Sequence, residues 1–221
     1  MKFMRMKNSY SLLGNYVPLL TTNQQRIKNM MIEYQIQTKD EKLPDGKEVT
    51  TLYFQKNNIQ VRFLPFRIDY DYMYVNQECS MQKSLQQACE FFKLLGEIFD
   101  AKGARIALVS SLFVDNTNQA AAKYLAEKLN VNDLFGNCAE FTFRVNNIKH
   151  YFEDVNSVLD FSPGEAKNNK TGEKHQIMIA NIDINTMAAN KEHRFDPIDA
   201  EEYFSDLVLE EQEKVNILFE L

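Results

Sequence analysis

The stretch VTTLYFQKNNIQVRFLPFRIDYDYMYV, Val49 to Val75, decides the fold, because its apolar residues alternate almost throughout. Alternation at period two is the mark of a half-buried β-strand, since successive side chains point to opposite faces. Its first part reads as a hairpin with Asn57-Asn58 at the tip, because Asn tolerates the positive φ that a tight turn demands. Ile59, Val61 and Phe63 then occupy odd positions, whereas Phe66, Ile68, Tyr70, Tyr72 and Tyr74 occupy even ones. A slip of one residue at Leu64-Pro65 predicts a bulge or bend within one long strand.

Towards the N-terminus, Ile27–Gln37 is rich in β-formers and predicts a further strand, closed by a polar turn at Pro44-Asp45-Gly46. Towards the C-terminus, Ser80 is placed to cap a helix. Its stripe of Met81, Leu85, Ala88, Cys89, Phe92, Leu95 and Phe99 follows helical spacing, and Gly103 is placed to end it. ARIALVSSLFVD (Ala104–Asp115) is apolar enough for a central strand, and Asn118–Leu129 predicts a short helix. AEFTFRVNNIKHYF (Ala139–Phe152) reads as a second hairpin and QIMIANIDINT (Gln176–Thr186) as a buried strand. The last helix opens at Asp196-Pro197, an N-cap followed by proline at the first helical position.

FRVNNIKHYF (Phe143–Phe152) echoes FQKNNIQVRF (Phe54–Phe63) at a distance of 89 residues. Two readings stay open. One is an internal duplication with halves at 24–103 and 104–221; the other is the recurrence of Asn in turns. Either way the pattern predicts one α+β domain over residues 1–221, a large, mostly antiparallel sheet with two long helices packed on one face.

Composition narrows function by exclusion. The 221 residues are 44% hydrophobic and 25% charged, an ordinary globular balance, and the formal net charge of -6 gives no support to a broad nucleic-acid footprint. Cys79, Cys89 and Cys138 form no Cys-x-x-Cys pair, which fits a reducing compartment. The basic start is broken by Ser11, Gly14, Asn15 and Pro18, so no signal peptide is expected, and no apolar run is long enough for a membrane span. A soluble, cytoplasmic protein without a membrane partner is the expectation.

Motifs narrow it further. The strand-to-helix turn Asp115-Asn116-Thr117-Asn118 lacks the glycines that let a backbone approach phosphate, so no nucleotide cofactor is indicated. His150, His175 and His193 have no metal-ligand spacing, and Ser110-Ser111 lies inside a strand rather than in a nucleophile elbow. Asp115 and Asp183 at strand ends could bind a metal or share a proton, against their ordinary role as turn formers. Tyr70, Tyr72 and Tyr74 form a row that suits a stacking platform or a sheet core. From Asp196 to Glu213 the chain carries eight acids and no Lys or Arg, so Glu201, Glu202, Glu210 and Glu211 are candidates for an acidic docking face or a solvated one.

FRIDYDY, the helix after it, RIALVSSLFVD, and the closing IDINT, RFDPIDAEEYF and LFEL occur in an order that resembles a sporadically distributed family of uncharacterised bacterial proteins. In that family a bent strand, a helix and a strand ending in a polar residue precede a last strand and a C-terminal helix. The resemblance implies an accessory bacterial or phage role, in defence, immunity or a toxin–antitoxin pair, and carries over no catalytic residue. The expected function is therefore non-enzymatic binding of a macromolecule, with a protein as partner and a homodimer compatible with the reading. The alternative is a metal-assisted hydrolase or nuclease using Asp115 and Asp183.

Overall fold

The computed structural model describes residues 4–75, 80–115, 142–167 and 171–220. Nine strands form one antiparallel sheet: β1 (Met4–Leu13), β2 (Gln35–Lys42), β3 (Glu48–Lys56), β4 (Ile59–Leu64), β5 (Arg67–Met73), β6 (Arg105–Asp115), β7 (Phe143–His150), β8 (Asp154–Lys167) and β9 (Lys174–Thr186). Their spatial order is β2-β3-β4-β5-β1-β6-β9-β8-β7. Helices α1 (Val17–Thr22), α2 (Gln24–Met30), α3 (Met81–Ile98) and α4 (Ala200–Glu220) complete the described fold. None of them is long and apolar enough to cross a membrane.

The α+β expectation holds, with both long helices on one face. Tyr10, at the centre of β1, meets Ser84 of α3 at 2.8 Å and Phe204 of α4 at a ring distance of 5.3 Å. Phe92 of α3 packs on the same Phe204, so the two helices share one apolar seam over the middle of the sheet. Helix α2 lies on that face too, where Arg26 sits over Phe99. A buried cluster that includes Tyr10, Phe63, Phe92, Ile182 and Phe204 draws on both halves of the chain.

The hairpin at Asn57-Asn58 forms as read, with Asn57 at φ 52°, and Gly46 supplies the positive φ of the preceding turn. Ser80 caps α3 by accepting the Lys83 amide. Asp196 caps a short 3₁₀ turn, Pro197–Asp199, that leads directly into α4.

Four readings are corrected. The slip at Leu64-Pro65 is a two-residue turn between β4 and β5, which pair antiparallel with Leu64 opposite Arg67. Ile27 belongs to α2, and the strand begins only at Gln35. Gly103 does not end α3; its backbone bridges to Phe195, and an added Cβ would lie 2.4 Å from Leu12 Cδ1. Asn146 and Asn147 lie inside β7, paired with Val158 and Ser157, and not at a hairpin tip. The helix read at Asn118–Leu129 lies outside the described residues.

The echo therefore does not mark equivalent positions. The strand order nevertheless repeats in direction about the β1–β6 seam: outward run β5-β4-β3-β2 on one side and β9-β8-β7 on the other. Each side opens with a central strand and closes with a long helix.

Candidate functional site

The tyrosine row is not an exposed platform. Strand β5 is paired on both sides, by β4 and β1, and its even positions face the helices. Tyr70 and Tyr72 are 2% exposed, and Tyr70 packs on Phe91 of α3 at 5.5 Å. Tyr74 is half-buried; it donates to Ser84 Oγ at 3.0 Å and accepts from Asn8 Nδ2 at 2.7 Å. Burial raises its pKa to about 12, so it remains a neutral hydrogen-bonding group.

The edges of Tyr70 and Tyr72 do reach a groove of about 520 Å³ between α2, the Asn57-Asn58 hairpin tip and α3. Met30, Tyr34, Phe91 and Leu94 line it, with Lys56 and Lys83 also on its walls. Leu94, close to the C-terminal end of α3, is 41% exposed and adds apolar surface at the rim of the groove. Lys56 lies 5.6 Å from the Tyr34 ring and pairs with Glu33.

The acidic helix is divided. Glu201 and Glu202 are exposed as expected, but Glu210 and Glu211 have 0% exposure and cannot form an outward face. Glu211 is clasped by both arms of Arg5 from β1, with Nη2 to Oε2 at 2.9 Å. Burial works against the Arg5 charge, and Glu211 outweighs it, leaving the guanidinium pKa raised. Glu210 accepts from the hydroxyls of Ser157 and of Tyr151, the latter at 2.9 Å, and lies 3.5 Å from Lys149 Nζ and 3.8 Å from Lys214 Nζ. A second polar group continues this belt under α3, where Ser110 donates to Asn8 and Asn8 donates to Ser84 at 3.1 Å.

The sequence reading missed Arg5, Asn8, Ser110, Ser157 and Lys214 as members of the belt. One signal was available. Phe204, Leu207, Val208 and Val215 define the buried stripe of α4, and Glu211 falls at the i+4 and i+3 positions from Leu207 and Val208. An acid on an apolar stripe calls for a buried partner.

Asp115 and Asp183 are not brought together. Along the β6–β9 ladder Asp183 stands opposite Val109 and Asp115 opposite Ile177. Six rungs separate them, roughly 20 Å at about 3.4 Å per residue. Asp183 accepts from Asn185 Nδ2 at 2.9 Å, an ordinary structural contact. Among the described residues no group of three or more His, Cys, Asp or Glu could hold a metal ion. Burial pushes the Cys89 thiol up to about 12, which leaves it a small apolar group at working pH.

Opposite the helices, the sheet carries a compact ionic cluster. Ser9 and Ser11 of β1 donate to Asp71 and Asp69 of β5 at 2.5 and 2.7 Å, and Arg62 Nη2 lies 2.9 and 3.0 Å from the two carboxylates. Burial holds Asp69 above the usual carboxyl pKa although Ser11, Arg62 and Arg67 act the other way. Asp69 Oδ2 has Arg62 and Arg67 nitrogens at 2.9 and 3.0 Å but accepts no hydrogen bond, and Arg62 Nε likewise has no hydrogen-bond partner, so the cluster is held by charge more than by hydrogen bonding. No protein-family model matches the chain, and comparison with curated proteins and with solved structures gives no match either.

Proposed function

We propose that the protein is a non-enzymatic binding module that takes a protein partner in the groove between α2, the β3–β4 hairpin tip and α3. The observation that carries this reading is the groove itself: aromatic and methionine walls, an exposed Leu94 at its side, and Lys56 over the Tyr34 ring. Tyr, Phe and Met are enriched at protein interfaces, the aromatics because they give large contact area with few rotatable bonds and Met because it adapts its shape to a partner. The separation of Asp115 from Asp183 supports binding over the hydrolase alternative, since carboxylates six rungs apart cannot share one metal or one proton. Exposed Glu201 and Glu202 remain available for contacts, whereas Glu210 and Glu211 serve the interior. The resemblance in layout supports an accessory bacterial or phage setting, in defence, immunity or a toxin–antitoxin pair.

A photo-crosslinking residue at Leu94, compared with one at exposed Asp100, should capture a partner in the source cell from Leu94 alone. The purified partner should then bind Leu94→Glu at least roughly tenfold more weakly than wild type, the effect of removing one anchor from an interface. Equal binding by Leu94→Glu would remove the groove from the interface.

A further inference from the structure

The two edges of the sheet are defended very differently. Strand β2 carries Lys39, Asp40, Glu41 and Lys42, four successive charges that discourage another strand from pairing. Strand β7 presents Val145-Asn146-Asn147-Ile148 at its centre, with no charge and no proline. Its pairing with β8 runs from Phe143 to His150 without a register shift, so no bulge turns the edge aside. Ile148 is 56% exposed there. The cations that flank this centre are already occupied by the chain itself: Arg144 lies 3.8 Å from Asp160, and Lys149 lies 3.5 and 3.6 Å from Glu210 and Glu213. Among the described residues no strand pairs with the outer side of β7.

We infer that β7 is a homodimer edge, pairing antiparallel with β7 of a second copy about a two-fold axis through Asn146. This occupant fits because the uncharged centre of the strand can pair with its own copy. Centred on Asn146, antiparallel pairing sets Asn146 against its own copy, Val145 against Asn147, and Arg144 against Ile148. No like charges face each other, and the Ile148 side chain covers the aliphatic stem of Arg144 in the second copy. A register centred between Asn146 and Asn147 would oppose Arg144 to Lys149, two cations, and is disfavoured. The contact is one edge strand long, below the standard interface size, so the dimer is weak and concentration-dependent.

Sedimentation equilibrium over a concentration series tests the assignment. Wild type should approach twice the 25.8 kDa chain mass at high concentration. Asn146→Lys should lower the association constant by roughly tenfold or more, because two cationic side chains then rise side by side from Cα atoms about 5 Å apart across the axis. Thr38→Lys on the β2 edge should leave it unchanged. Asn146→Cys should also form a disulfide-linked dimer faster than Thr38→Cys under mild oxidation, since directly paired Cα atoms lie within disulfide reach. A wild type that stays monomeric at hundreds of micromolar, a dimer untouched by Asn146→Lys, or equal cross-linking of the two cysteine variants would each overturn it.

Discussion

Glu210 is fully buried on α4 and faces two lysines, a serine and a tyrosine, so its charge is held by partners from β7, β8 and its own helix. Removing one member of such a set leaves an uncompensated buried charge, which costs more than the set contributes when intact. Glu210→Ala should therefore lower the unfolding free energy by about 3 kcal/mol in chemical denaturation. Pairing Glu210→Met with Lys214→Met should recover most of that loss, because Lys214 is itself only 5% exposed. A double variant as unstable as the single one would show that Lys214 is not the partner that matters. Asp69 makes a different case. Folding raises its pKa, burial being the largest cause, so the native state holds the proton more tightly than the unfolded chain. Its contribution is greatest below the unfolded Asp value of about 4 and declines as pH rises through the window up to the folded value. Asp69→Asn should flatten the stability profile in that window. Denaturation midpoints that differ from wild type by a constant amount across it would remove Asp69 as the source.

At the scale of elements, period-two alternation marks β3, β4 and β5, and dense apolar character marks β6 and β9, because each buries a face under the helices. The phase slip at Leu64-Pro65 marks the β4–β5 turn and not a bend in one strand. In a two-residue hairpin the numbers of opposed residues sum to an odd value, so the inward side passes from odd to even positions at the turn; Phe63 opposite Ile68 shows it. A slip beside a proline thus announces a hairpin as readily as a bend. Ile27 has β-forming neighbours, yet Ile27, Met30, Met31 and Tyr34 stand at i, i+3, i+4 and i+7, the spacing of a helical face. Tertiary contact with Phe99 and the end of α3 favours the helix there. Gly103 stands where a helix-ending glycine would, yet its constraint is close approach to Leu12, a long-range contact that no local pattern encodes. Of the candidate site, the aromatic residues were legible by type but their direction was not. Tyr70 and Tyr72 turn inward because β5 lies under α3, and this depends on strand order rather than on spacing.

At the scale of the whole molecule, the repeat about the β1–β6 seam raises the question of whether each half is a folding unit. Three kinds of contact cross the seam. The β1–β6 ladder runs from Met4 opposite Phe113 to Leu13 opposite Arg105. Phe204 of the second half packs on both Tyr10 and Phe92 of the first. Arg5 of the first half is the counter-ion of Glu211 in the second. Separation would expose one edge of each central strand, remove Phe204 from contacts worth about 2–3 kcal/mol of burial, and strand a carboxylate in an apolar setting. Fragments 1–103 and 104–221 should each fail to unfold cooperatively when studied alone by far-UV circular dichroism against denaturant. Mixed in equal amounts, they should regain a single sharp transition, because the seam supplies the missing strand partner, aromatic packing and counter-ion together. A sharp transition in either isolated fragment would make that half an autonomous domain and reduce the seam to an interface between two such domains.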